Sequence, residues 1–223
     1  MRKSVLSKRR TTMNITGIGG SSTSSILYHI GEHRKALFSD HVAYASRSGA
    51  LGHVCDVTDP DSLQKLFYRE FPRVVILAVG TALQNPTFAT FSDWQRQRDD
   101  IAARSFGALA TMIAAHQAET VRQFIVLGGR ETFEDPNLGA YAASNGATWG
   151  LIQHANRHTH YDAWYVDMPF VIDSANAETL RAAGLHTGAE IANAIRISDV
   201  VRTADEILSG QHLPGRIILG NTF

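Results

Sequence analysis

The sequence predicts an α/β fold, a doubly wound parallel sheet between two layers of helices (three layers, α/β/α) in a single domain. Three observations carry this. Short apolar runs alternate with longer amphipathic ones along the whole chain. The run Val74–Val79 is apolar without alternation, as a central strand covered on both faces requires. The length of 223 residues suits one domain, and no composition break or internal repeat divides it.

Taken in order, the first strand is expected at Met13–Thr16. A glycine-rich turn follows, and a helix over Ser22–Gly31. Val42–Ser46 and the short Gly52–Val54 read as the next two strands. Asp59-Pro60 pairs an N-cap with a first-turn proline and opens a helix to Glu70. After the strand at Val74, Ser92 or Asp93 can cap a long helix through Ile101, Phe106, Leu109 and Ile113 to Gln117. Gln123–Leu127, a helix over Tyr141–His158, Ala163–Met168, a helix over Ile197–Leu208 and the strand Arg216–Leu219 complete the chain. The longest irregular stretches follow Val79, Leu127 and Met168, on the edge where open α/β sheets hold their ligands.

Composition excludes several classes of protein. A hydrophobic content of 44% argues against disorder, and no apolar run approaches the length of a membrane span. Basic and acidic residues balance at 21 each, which gives no basic excess for tracking nucleic acid. Five of the positive charges (Arg2, Lys3, Lys8, Arg9, Arg10) fall in residues 1–12, which read as a disordered basic leader or as a stretch upstream of a start at Met13. The expected domain, 13–223, then carries 16 basic against 21 acidic residues. Cys55 is the single cysteine, so an internal disulfide is impossible and a cytoplasmic location is expected. Nothing adjacent would activate its thiol, and it reads as a small core residue.

The chemistry-bearing motifs begin at the turn Gly17-Ile18-Gly19-Gly20-Ser21-Ser22. Glycines at 17, 19 and 20 let backbone approach a pyrophosphate, whose oxygens the following helix N-terminus and the hydroxyls of Ser21 and Ser22 can bind. Such a turn is weak evidence alone. The ordered set says more: Thr16-Gly17, then Ala45-Ser46-Arg47-Ser48, Cys55-Asp56-Val57-Thr58-Asp59 and Tyr141-Ala142-Ala143-Ser144. Over Met13 to Leu219 this set resembles the short-chain dehydrogenase/reductase (SDR) family.

The resemblance implies a Rossmann-type sheet, a nicotinamide dinucleotide, a small-molecule substrate, and a substrate lid near 172–188. It also implies a homodimer or homotetramer built on the helices from Asp93 and from Tyr141. Ser46 and Arg47 stand where the family reads the adenosine ribose, with a guanidinium and no carboxylate, which favours NADP(H). By resemblance Asp56 and Val57 flank the adenine, Gly80 follows the fourth strand, and Pro169 opens the segment beside the nicotinamide. Tyr141 is the acid/base.

Three of the family's usual partners of Tyr141 are missing, among them a helix Asn that the resemblance would put near Asp100 or Ile101. Asn145 occupies the position of the family's lysine, and Gly128 and Gly129 that of its serine. A phenol needs nearby positive charge to act as a base near neutrality, and Asn145 can hydrogen-bond a ribose without supplying it. Thr132 and Arg130, after the fifth strand, are the candidate substitutes for hydroxyl and charge. His154 and His158 stand at metal-ligand spacing near His160 and Asp162, but they lead towards the opposite end of the sheet, and no metal is expected. Three readings follow: an NADP(H)-dependent carbonyl/alcohol oxidoreductase, a non-redox enzyme such as a lyase, isomerase or cyclase using Tyr141 as proton donor, or a non-catalytic dinucleotide-binding or partner subunit.

Overall fold

A computed structural model describes residues 12–19, 22–78, 95, 97–98, 101–129, 139–174, 177 and 194–220. Among these, β1 (Asn14–Gly19), β2 (His41–Ser46), β3 (His53–Val54), β4 (Val74–Ala78), β5 (Gln123–Gly129), β6 (Asp162–Met168) and β7 (Gly215–Ile218) form one sheet. Its order is β3-β2-β1-β4-β5-β6-β7, and every pair is parallel. The helices are α1 (Ile26–Phe38), α2 (Pro60–Glu70), α3 (Gly107–Ala118), α4 (Gly139–His158) and α5 (Ile197–Leu208). A π-helical turn, Ala102–Phe106, leads into α3.

The unalternating strand does what its composition requires. Val75 and Leu77 of β4 pack with Leu63 and Phe67 of α2, Met112 of α3 and Ile152 of α4. Val74 and Ile76 face the other layer, with Leu27 and Ile30 of α1 and Val200 and Ile207 of α5. The sheet thus separates two cores, and each helix buries one stripe. None of the described helices is long and apolar enough to cross a membrane.

The first turn lies later in the chain than the sequence implies. β1 continues through Gly17, which pairs in register with Tyr44 and Ile76. The chain leaves the sheet only at Gly19, whose φ of 108° lies in the region that favours glycine. The helix starts at Ile26, not Ser22, because the hydroxyl run satisfies itself as a turn: Ser25 N–H donates to Ser22 O at 3.0 Å. Ser25 is the true cap, its Oγ accepting from Tyr28 N–H at 3.3 Å. The helix also runs past Gly31, where the Tyr44 phenol fills the space of a side chain. The expected cap at Asp59 is present, accepting from Asp61 N–H at 3.1 Å.

A buried ion pair ties this half together. Arg34 Nε of α1 donates to Asp40 Oδ2 at 2.7 Å, and Nη1 reaches Asp205 Oδ1 of α5 at 3.0 Å. Asp40 Oδ1 accepts from Met13 N–H at 2.9 Å, fixing the entry to β1. Both members of the pair are buried. The cap at Ser92 or Asp93 lies outside the described residues, as does most of 172–188.

Candidate active site

In an all-parallel sheet the strand C-termini share one edge, and the order reverses between β1 and β4. The crevice beyond Gly19 and Ala78 is therefore where this topology receives a ligand. Several candidate residues gather along that edge. Ser22 lies in the turn after β1, its Oγ 3.0 Å from Ser24 Oγ. Gly17 is buried inside β1 and lies one strand register behind the turn. Pro169 directly follows β6, half-buried. Gly20, Ser21, Gly80, Arg130 and Thr132 lie outside the described residues.

The end of β2 is a compact polar turn. Ser46 Oγ accepts from Gly49 N–H at 3.2 Å and lies 3.2 Å from Ser48 Oγ, and Cys55 N–H donates to Ser46 O at 2.9 Å. Arg47 projects from this turn, exposed. Asp56 Oδ1 accepts from the Thr58 amide at 2.9 Å and the Thr58 hydroxyl at 2.7 Å. Those two bonds hold its carboxyl below the usual range, with the Arg47 charge adding to the effect. Val57 is buried beneath Gly107 of α3, leaving little of its side chain to cover a ring. Cys55 belongs to the core, and burial pushes its thiol pKa up.

The other half of the site is built on β5, α3 and α4. Helical spacing puts Tyr141, Asn145 and Thr148 on one face of α4. Tyr141, half-buried, lies with its phenol oxygen so close to Gly129 that a Cβ there would overlap it. At Gly128 the obstacle is Tyr165 of β6, whose hydroxyl donates to Gly129 O at 3.1 Å. The two glycines are thus more than a missing serine: two phenols occupy the space a side chain would need.

Asn145 is 4% exposed, and its Nδ2 has no hydrogen-bond partner among the described residues. It lines a cavity of about 20 Å³ together with Arg104, Gly128, Thr148 and Tyr165. Ser144 is fully buried, its hydroxyl donating to Tyr141 O at 2.8 Å.

Arg104 is the residue the sequence reading missed. Its guanidinium carbon lies 4.5 Å from the centroid of the Tyr141 ring. The π turn that carries it, closed by Gly107 N–H on Ala102 O, gave no periodic signal of its own. A basic residue near the expected position of the family's helix Asn was the available clue. His154 and His158 do meet, ring centroids 4.3 Å apart, but among the described residues no group of three or more His, Cys, Asp or Glu converges to hold a metal. A surface groove of about 980 Å³ between α1 and α5, lined by Glu32, His33 and Asp205 among others, includes none of the candidate residues.

By sequence the chain matches no family model and no curated protein. Solved structures are similar in shape. A Listeria innocua protein superposes with a TM-score of 0.73 at 17% identity, covering 93% of this chain and 100% of its own. A short-chain dehydrogenase from Burkholderia cenocepacia, solved with NADP, gives 0.72 at 14% identity, over 94% of this chain and 89% of its own. The fold is the Rossmann fold of the short-chain dehydrogenases. A UDP-glucose 4-epimerase from Thermotoga maritima, solved with UDP-glucose, has the same Rossmann core, with a TM-score of 0.70 at 14% identity over 94% of this chain and 77% of its own.

Proposed function

We propose that this chain binds NADP(H) and interconverts a small-molecule carbonyl and its alcohol, with Tyr141 as proton donor and acceptor. The reading rests on the Tyr141 phenol, which lies against the end of β5 beside the switch-point crevice and has a buried guanidinium over its ring. The residues of the crevice fit a dinucleotide. Gly19 turns with a positive φ where a side chain would be strained, α1 presents its N-terminus just beyond, and no carboxylate follows β2 to repel a 2′-phosphate.

When bound, the dinucleotide supplies or accepts the hydride at the substrate carbon. In the reducing direction Tyr141 Oη gives its proton to the substrate oxygen, and in the oxidising direction it takes one back. Arg104 stabilises the negative charge left on the phenol oxygen. Arg47 pairs the 2′-phosphate through its planar fork, and Ser22 donates to the pyrophosphate. Asp56 remains ionised to accept from the adenine amine.

NADPH binding, followed by fluorescence, tests the cofactor. Arg47→Ala is expected to weaken it about tenfold to a hundredfold, the worth of one charged, bidentate contact, with NADH binding nearly unchanged. Absence of NADPH binding by the parent chain would sink the proposal.

A second reading has its own support. With both serine positions filled by phenols, the substrate oxygen lacks the usual hydroxyl partner among the described residues. Tyr141 would then act as a neutral donor in lyase, isomerase or cyclase chemistry. NADPH that binds but is oxidised by no carbonyl would favour that reading over the first.

We further read the chain as a cytoplasmic homodimer. Phe106, Leu109 and Ile113 are exposed apolar residues leading along α3, and Ala143, Ala147 and Gly150 are small exposed residues of α4, the helix that touches it. Ile113→Glu is expected to yield a monomer by light scattering, with its circular dichroism unchanged because the side chain is 49% exposed in the single chain. A parent chain that is already monomeric at micromolar concentration would refute the assignment.

A further inference from the structure

We propose that His154 and His158 chelate a late first-row divalent metal, copper or nickel in preference to zinc, at the edge of the sheet opposite the crevice. The two stand one turn apart on α4, both exposed, with ring centroids 4.3 Å apart. Neutral imidazole suits these cations, and a helical i, i+4 pair presents two of its nitrogens to one ion. No step of the reaction proposed above uses either residue.

The ring separation suits a single ion. A metal bound about 2.0–2.1 Å from a ring nitrogen lies about 3.2 Å from that ring's centre. Two centres 4.3 Å apart then subtend about 85° at the metal, close to the right angle between neighbouring ligands of square-planar or octahedral coordination. That angle favours copper and nickel over tetrahedral zinc. Among the described residues each ring has the other as its one partner, so each is free to turn about its Cβ–Cγ bond and aim a nitrogen at the shared ion. Two protein ligands leave the other positions to water. The site is thus an open chelate and not a closed cage of three or more side chains, of which the described residues hold none.

The turn that carries the pair is already fixed. Ile152 and Ala155, on its inner side, are buried in the core. Asn156 clamps β6, its Oδ1 accepting from Ala163 N–H at 2.7 Å and its Nδ2 donating to Ala163 O at 2.9 Å. Thr159 closes the helix end, its amide and hydroxyl both donating to Ala155 O, at 2.9 and 2.8 Å. An ion therefore meets two ligands on a backbone ordered before it arrives, and binding costs little beyond side-chain freedom. A second pair, His116 and His160, has ring centroids 5.2 Å apart, but these stand on the last turn of α3 and in the bend after α4, so no single helix sets their spacing.

The place of the pair separates it from the chemistry. α4 begins after β5 and ends at His158, just before β6 starts at Asp162. Tyr141 lies about 25 Å back along the same helix, so the ion fastens the far end of α4 and does not touch the reacting atoms.

The test titrates the untagged full chain with Ni2+, Cu2+, Zn2+, Mg2+ and Ca2+ by calorimetry, in the parent, His154→Gln, His158→Gln and His116→Gln. The parent is expected to bind Cu2+ most tightly, then Ni2+, then Zn2+, with no response to Mg2+ or Ca2+. Either His154→Gln or His158→Gln should weaken Ni2+ binding about tenfold or more, by turning a chelate into a single ligand, while His116→Gln should leave it within about twofold. Saturating Ni2+ should raise Tm by about 5 °C in the parent and in His116→Gln, and hardly at all in the other two. Amide hydrogen exchange locates the effect: Ni2+ should slow it severalfold in the last turn of α4, from His154 to Thr159. No Ni2+ binding below millimolar concentration, binding that survives either substitution, binding that falls as far in His116→Gln, or exchange unchanged in that turn would each overturn the proposal. NADPH binding is followed in the same variants and should not change, so the metal site and the cofactor reading fail separately.

Discussion

Gly128→Ser should destabilise the chain by about 3 kcal/mol, or about 10 °C in Tm, although serine is the residue the SDR resemblance would put there. The new Cβ would overlap both the hydroxyl oxygen and the ring of Tyr165, a side chain that is 1% exposed and has no room to retreat. Moving the ring breaks its bond to Gly129 O and leaves a buried carbonyl short of a donor. Tyr165→Phe in the Gly128→Ser background should recover little, because the ring carbons clash as well as the oxygen. Gly17→Ala is the contrast. Its Cβ would make ordinary contacts at 3.6 Å with Leu27 and Tyr44, so Tm should change by only a degree or two. Thermal denaturation of the three variants decides the matter, and a Gly128→Ser chain as stable as the parent would refute the packing account.

Arg34→Met should be at least as costly, about 4 kcal/mol, since it strands a buried carboxylate at Asp40. The loss reaches three elements, because the same guanidinium holds Asp205 on α5 and its partner Asp40 holds the Met13 amide at the entry to β1. Removing both charges as Arg34→Met/Asp40→Leu should return much of the stability, as replacement of a buried pair by apolar groups often does. The return should be incomplete, because Met13 N–H loses its acceptor. Urea unfolding of the single and double variants measures the difference. Equal losses in the two would mean that the pair contributes through packing and not through charge.

Residues whose neighbours lie close in sequence were legible, and those whose neighbours are remote were not. The strand at Val74 and the helix over Ile197–Leu208 declare themselves by composition and period, and the Asp59-Pro60 pair marks its own helix start. The first turn misled because glycine has two uses: Gly17 looked like the bend but is a strand residue packed under Leu27 and Tyr44, while Gly19 makes the bend. Gly128 and Gly129 were seen as absences. The reason for them, two phenols from α4 and β6, exists only once the sheet has formed. Arg104 escaped for the same cause, since its distance to Tyr141 is set by a π turn and a helix crossing that no local pattern announces.

The parallel pairing of β1 with β4 also has a consequence for how the chain is made. β2 follows β1 closely and can pair with it early, but the other edge of β1 stays open until Val74–Ala78 has been synthesised and brought back. Pairing between segments so far apart is the slow part of building such a sheet, because the loop must close before the contacts repay it. That long-range seam is also the switch point where the candidate ligand crevice opens. A ligand that grips both the turn after β1 and the end of β4 would act as a clasp on this long-range join, slowing its reopening and lengthening the life of the folded chain.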